Sequence, residues 1–233
     1  MSTVTFENKG RVGVITMDDG KANAMNDAFF SGVHDALDDA LAGGVRCLIF
    51  RGNAKFYSAG LDLKLIPTLP PEELVAFAAR FGECMLRVHG FEIPTVAAIE
   101  GHAVGGGAIL AFACDHRVAR DAKGSLQLNE TAIGIALPSW AIAITQSAVS
   151  ARWHTQLMLR ARRFRWSEAA ETGMVDDLVP DEGDLMGRAM TIANDLSLID
   201  RAAYGETKRR LRGARIQEEL ERLETELRGQ LIG

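Results

Sequence analysis

The sequence predicts an α/β fold, and three observations carry that expectation. Short apolar or β-branched runs alternate with segments of helical spacing, the links between them are short, and glycines sit where helices would open or close. Strand followed by helix, repeated, is the pattern of a sheet whose ligands bind near helix N-termini. Residues 4–6 and 12–17 flank the turn signal Asn8-Lys9-Gly10, so the chain should open with a hairpin. A helix is expected over 26–41, ended by Gly43-Gly44. Residues 47–50 then read as a buried strand, completing a strand–helix–strand unit. Residues 71–89 have helical spacing with Pro71 in the first turn, and 94–99 form another buried strand. The run Gly101-His-Ala-Val-Gly-Gly-Gly-Ala-Ile-Leu-Ala-Phe-Ala-Cys114 follows, an apolar helical segment opened by three glycines.

From about residue 139 helices should dominate, interrupted by Val175-Asp-Asp-Leu-Val-Pro180, which reads as a short edge strand closed by proline. In the charged final helix Ile216, Leu220, Leu223, Leu227 and Leu231 form one apolar stripe. Its own domain or a neighbouring subunit must cover it. The expected division is a ligand-binding core over 1–180 and a helical region over 181–233 packing on that core or on a neighbour.

A chain of 233 residues with 47% hydrophobic content can build one substantial core. The net charge of −5 provides no global basic field for nucleic acid or an anionic membrane, so an anionic ligand must be held by local charges. Cys47, Cys84 and Cys114 are odd in number and far apart, which argues for reduced core thiols rather than a disulfide framework. The first ten residues lack the apolar centre of a signal peptide, and no apolar run approaches membrane-spanning length, so a cytoplasmic location is expected. The terminal Gln-Leu-Ile-Gly is not a peroxisomal address of the Ser-Lys-Leu type. His34, His89, His102, His116 and His154 are scattered without paired ligand spacing, so no metal is assigned. Arg160, Arg162, Arg163 and Arg165 surround Phe164 and Trp166; with an acidic total, a solvated face or subunit contact explains them better than nucleic acid.

Chemistry could reside in three places. The glycine-opened helix leaves bare backbone N–H groups, which make either an anion or oxyanion site or simply a turn that permits tight packing. In Lys55-Phe-Tyr-Ser-Ala-Gly-Leu-Asp-Leu-Lys64 the small turn Ser58-Ala59-Gly60 should precede a further helix start and offer a second set of donors; the alternative is a surface turn with Asp62 as a cap. Two donors converging on one oxygen stabilise an enolate or tetrahedral oxyanion, and losing one costs about 3 kcal/mol of barrier. Glu130 is the only acid between Asp121 and Glu168, in a stretch rich in Ala, Ile, Leu and Trp. In an apolar pocket its pKa would rise toward the range where one group both takes and returns a proton; the alternative is a solvent-facing glutamate.

Tyr57-Ser-Ala-Gly-Leu-Asp-Leu63, then Gly101-His-Ala-Val-Gly-Gly-Gly107, then Asn129-Glu130 resemble the ordered signature of the crotonase superfamily of acyl-CoA enzymes. The resemblance runs from about residue 4 to 180. It implies a spiral of ββα units followed by a helical trimerisation region, a coenzyme A thioester as ligand, and a homotrimer or dimer of trimers. It implies no cofactor beyond the coenzyme A of the substrate. The two oxyanion donors match the N–H groups of Leu61 and Gly106. Of the two glutamates that the family's hydratases use, the first falls at Ile109 and the second at Glu130, so one carboxylate suited to activating water is missing.

The stretch Leu128-Asn-Glu-Thr-Ala-Ile-Gly-Ile-Ala-Leu-Pro-Ser-Trp140 resembles Δ3,Δ2-enoyl-CoA isomerases, which keep one glutamate after asparagine. The implied activity is isomerisation of a 3-enoyl-CoA to the 2-enoyl-CoA, with Glu130 shuttling the proton and Asn129 contacting substrate beside it. A 2-enoyl-CoA hydratase and a noncatalytic acyl-CoA binder are the alternatives. The resemblance also makes Lys21, Lys55 and Lys64 candidates for the nucleotide phosphates. Ala22, Ala24, Ala59, Gly60, Asp62 and Leu63 are expected along the nucleotide and pantetheine path, with Ile109 in the acyl pocket.

Overall fold

The fold is described from a computed structural model covering residues 3–231; expectations that touch Met1, Ser2, Ile232 and Gly233 lie outside the described residues. Strands β1 (Val4–Lys9) and β2 (Val12–Met17) form the expected antiparallel hairpin, with Val4 opposite Met17 and Lys9 opposite Val12. Gly10 turns the chain at φ +85°, and its N–H donates to the Asn8 side chain. Helix α1 (Asp27–Ala42) begins where Asn26 Oδ1 accepts the Phe29 N–H at 3.0 Å, and ends at Gly43. Strand β3 (Cys47–Arg51) returns parallel to β2, so the strand–helix–strand unit is present.

Then follow β4 (Phe56–Ser58), α2 (Pro71–His89), β5 (Thr95–Ile99), β6 (His102–Val104), α3 (Gly106–Ala113), β7 (His116–Asp121) and β8 (Leu126–Gln127). The C-terminal part comprises α4 (Ser139–Ala148), α5 (Trp166–Glu171), β9 (Asp177–Pro180), α6 (Leu185–Leu196) and α7 (Arg201–Leu231). The helix expected after Ser58-Ala59-Gly60 does not form. Asp62 Oδ1 instead accepts the Lys64 N–H, and a single 3₁₀ turn at Ile66–Thr68 follows, with Pro67 inside it and Pro70 two residues beyond.

Two sheets result. The larger has the order β1-β2-β3-β5-β7-β9, antiparallel only at its first pair, and β9 is the expected edge strand with Pro180 at its end. Its two faces are both buried. Val12, Val14, Ile49, Val96 and Val118 face Leu185, Ala189 and Ile192 of α6, whereas Ile15, Leu48, Phe50 and Ala97 face the main core with α1 and α2. The smaller sheet, β4-β6-β8, is parallel throughout. Cys47, Cys84 and Cys114 are buried free thiols, each pushed up to about 12 chiefly by burial.

Helix α7 lies against α2 and α4 of its own chain, with Leu223 and Leu227 in the main core, Ile216 and Leu231 packed at its edge, and Leu220 exposed. It is also tied down by charge. Asp115 accepts from the Lys208 ammonium at 2.7 Å and from Arg212 at 2.8 Å, while the Thr95 N–H and hydroxyl hold the same carboxylate. Burial alone would raise the Asp115 pKa; the two cations and these hydrogen bonds outweigh it and hold the carboxyl below the usual range. The Arg160–Arg165 run is largely engaged within the chain. Arg162 pairs with Glu168, Arg163 donates to Gln127, and the Phe164 and Trp166 rings are buried.

The Lys208 side chain is only 5% exposed, so removing its partner leaves a buried cation. Asp115→Ala is expected to cost about 3–5 kcal/mol in urea unfolding at pH 7. Because the Asp115 pKa is depressed in the folded state, its electrostatic contribution is full above the unfolded value near 3.9 and is lost as pH falls through the lower folded value. The difference between wild type and variant should therefore narrow below about pH 4.

Candidate active site

The site is assembled by the small parallel sheet. Parallel strands end on the same side, and open α/β folds place ligands at those carboxyl ends. β4 ends at Ser58 and delivers residues 59–61, β6 ends at Val104 and delivers Gly105 and Gly106, and β8 ends at Gln127 and delivers Asn129 and Glu130. Gly105 N–H donates to Gln127 O at 2.8 Å, fixing the second segment against the third.

Glycine is required here by contact as well as by conformation. Gly105 has φ 54° and ψ −123°, which L side chains rarely adopt, and it forms the N-cap of α3. A Cβ on Gly60, itself at φ +83°, would lie 2.7 Å from Gly106 N and 2.9 Å from Val104 O. One on Gly107 would lie 2.1 Å from Ser58 O. The turn 58–61 is thus pressed onto the first turn of α3.

Residues 22–25 brace the turn from behind. Ala59 N–H donates to Ala22 O, Met25 N–H to Gly60 O and Asp62 N–H to Met25 O, at 2.8–3.0 Å. This bridge uses the groups on either side of Leu61, so Leu61's own N–H points away from Met25. Gly106, as the first residue of α3, has no intrahelical acceptor either. Neither N–H has a protein acceptor among the described residues. Buried Asn23, with φ 53°, ties the brace together: its side chain donates to Phe56 O and Tyr57 O, and its carbonyl accepts from Ser58 Oγ at 2.7 Å.

Glu130 sits over Gly105. A Cβ on Gly105 would lie 3.3 Å from Glu130 Oε1 and 3.1 Å from Asn129 Oδ1. Glu130 Oε2 is buried and has no hydrogen-bond partner among the described residues. Burial pushes the carboxyl above the usual range, with a hydrogen bond from its own backbone N–H opposing. A buried, unpartnered carboxylate oxygen is costly and needs a reason.

These groups open onto an apolar cavity of about 250 Å³. Of the residues expected from sequence, the cavity brings together Ala59, Leu61, Leu63, Gly106, Ile109, Asn129 and Glu130. Ile109, 1% exposed, adds hydrocarbon to the lining. Gly60 lies behind the lining, against Gly106 N, and Asp62 anchors its own loop through Lys64 N–H. Ala22 and Ala24 belong to the brace, and Lys21, Lys55 and Lys64 are exposed and outside the cavity.

Sequence reasoning missed the far walls: Phe77 and Phe81 from α2, Trp140 from α4, and Leu227, Gln230 and Leu231 from α7. Apolar spacing in α2 and the α7 stripe marked them as buried, but burial in a core and burial in a pocket leave the same mark. Trp166 supports the site from outside by donating its indole N–H to Gly101 O at 3.0 Å. Among the described residues no group of three His, Cys, Asp or Glu could hold a metal ion, and no helix is long and apolar enough to cross a membrane.

A raised carboxyl pKa carries a stability consequence. The charged folded form is penalised relative to the unfolded chain, so stability falls as pH rises from the unfolded value through the folded one. Glu130→Gln should therefore stabilise the protein at pH 7 by about 1 kcal/mol in denaturant melts, with the gain fading below about pH 4.

The sequence profile of the enoyl-CoA hydratase/isomerase family matches residues 7–230. A probable enoyl-CoA hydratase of Bacillus subtilis is 33% identical over 188 residues, 78% of this chain and 71% of the relative. A peroxisomal enoyl-CoA delta isomerase of Arabidopsis thaliana is 26% identical over 185 residues, 76% of this chain and 77% of the relative. Among solved structures, an apo enoyl-CoA isomerase of Mycobacterium tuberculosis superposes with TM-score 0.89 at 29% identity, over 97% of this chain and 99% of that one. An enoyl-CoA hydratase of Mycobacterium ulcerans gives TM-score 0.89 and 29% identity, over 96% and 99%. The fold is thus that of the crotonase-fold proteins it superposes on, and this chain belongs to the enoyl-CoA hydratase/isomerase family.

Proposed function

We propose that this chain isomerises 3-enoyl-CoA thioesters to 2-enoyl-CoA thioesters. The observation that carries the reading is that, among the described residues, Glu130 is the single ionisable group lining a cavity that is mostly hydrocarbon, with Ile109 in that lining at the position where the resemblance to hydratases puts a second acid. The Glu130 carboxylate takes a proton from C2 of the substrate. The electron pair passes through C1 to the thioester oxygen, giving a dienolate whose oxygen accepts hydrogen bonds from the Leu61 and Gly106 N–H groups. The carboxyl then returns the proton at C4, the double bond settles between C2 and C3, and no atom is gained or lost. One base suffices because C2 and C4 lie on the same short chain, and a carboxyl whose pKa is raised toward the working pH can both take the proton and return it.

In this reading Asn129 positions the acyl group, and Ala22, Ala24, Ala59, Gly60, Asp62 and Leu63 follow the pantetheine and nucleotide. Lys21, Lys55 and Lys64, exposed beside the paired segments 22–25 and 59–62, supply charge for the phosphates. A homotrimer or dimer of trimers in the cytoplasm is the assembly that goes with it. The hydratase alternative draws support from relatives that carry that name; against it stands the hydrocarbon at Ile109, since water activation and carbon protonation are best served by paired carboxylates.

The test is direct. Purified protein mixed with a 3-enoyl-CoA should yield the conjugated thioester by absorbance with unchanged mass, and kcat/KM should fall at acid pH as Glu130 is protonated. Glu130→Gln should lower turnover by about 10³-fold while changing Kd for acyl-CoA less than about threefold. Hydration of a 2-enoyl-CoA without isomerisation, or full turnover in the Gln variant, would overturn the proposal.

A further inference from the structure

One wall of the cavity comes from a helix distant in sequence. Leu227, 4% exposed, and Gln230 and Leu231 bring the end of α7 to the cavity, facing a site built before residue 141. A polar latch holds this end. Ser139 N–H, in the first turn of α4, donates to Glu226 Oε1 at 2.7 Å, and the Ser139 hydroxyl contacts Oε2 of both Glu226 and Glu219. Glu219 is 1% exposed and pairs with Arg215 at 2.7 Å. Gln230 donates to Ala136 O at 2.6 Å in the loop that follows Glu130.

Apolar contacts alone could have fixed the helix. Burying a carboxylate costs more than packing another leucine and is compensated only by well-placed partners, so the latch yields position rather than adhesion. Its place is telling: Ser139 immediately precedes Trp140, which lines the cavity, and Trp140 and Leu223 of α7 both press on Gly82 of α2.

We propose that the latch of Ser139, Glu219 and Glu226 sets the acyl-chain length this protein accepts, by holding Leu227 and the end of α7 as a fixed wall of the cavity. The inference rests on reading the cavity as the acyl site. Its volume of about 250 Å³ falls below the ~300–1,000 Å³ usual for drug-sized ligands, and its lining is almost wholly hydrocarbon. The preferred substrates are therefore short, unfunctionalised acyl groups. Ser139, Glu219 and Glu226 act as positioning residues, since none of them lines the cavity.

The test is the ratio of dissociation constants for saturated hexanoyl- and dodecanoyl-CoA, measured by calorimetry on the full chain. Wild type should favour hexanoyl-CoA. Ser139→Ala and Glu226→Ala should shift the ratio about tenfold toward dodecanoyl-CoA. Glu226→Gln, whose amide oxygen still accepts from Ser139 N–H, should keep the wild-type ratio. Leu227→Ala removes the wall without touching the latch and should shift the ratio in the same direction even if the latch variants fail to fold. An unchanged ratio in Leu227→Ala, or in folded latch variants, overturns the proposal. So does an equal shift in Arg201→Ala, which cuts an exposed ion pair at the opposite end of α7. Saturated thioesters cannot isomerise, so length-selective binding with no turnover of 3-enoyl-CoA overturns the isomerase reading alone.

Discussion

The structure depends on three glycines, two pressed against backbone groups that leave no room for a Cβ and the third held at a positive φ that side chains rarely adopt. Gly60 against Gly106, Gly107 against Ser58 and Gly105 under Glu130 bring the ends of three short parallel strands into one place. The strands alone, two or three residues each, are too short to hold that geometry. The brace through Asn23 and residues 22–25, the large sheet behind it and the indole of Trp166 on Gly101 keep the contact closed. What this closeness provides is a pair of backbone donors with no acceptor among the described residues, at the edge of a mostly apolar space.

Into that space the chain places one acid. Elsewhere it treats buried charge differently: Asp115 is surrounded by two cations and two Thr95 donors, and Glu219 is held by Arg215 and Ser139. Glu130 Oε2 has no such company, and its pKa moves up where that of Asp115 moves down. The contrast separates a structural carboxylate, which must stay ionised, from one that is free to change its protonation. Ile109, also buried in the lining, adds hydrocarbon to the same cavity.

Most of the large sheet and its helices were legible because their signals are local, although the interior strand β7 was not expected. β-branched runs, Asn26 as a cap, Pro71 in a first turn and Gly43 at an end each specify their element within a few residues. The small sheet was not legible. Phe56–Ser58, His102–Val104 and Leu126–Gln127 show no periodicity, and each is a strand only because the others lie beside it. The helix expected after Gly60 failed for a local reason, since Asp62 turned the backbone upon itself ahead of two prolines. At the site, Leu61, Gly106, Asn129 and Glu130 could be named from motif order. Phe81, Trp140 and Leu227 could not, because nothing in a core-like pattern tells which buried side chains border an empty space.

In the proposed reaction one shielded carboxyl carries a proton from C2 to C4. This transfer is tested most directly by presenting a 3-enoyl-CoA deuterated at C2 in ordinary water and locating the label in the product at early conversion. A measurable fraction of the deuterium is expected at C4, with no water added, and this fraction should grow as the reaction is sampled earlier. Complete loss of label to solvent at the earliest times, or a product heavier by the mass of water, would contradict that transfer.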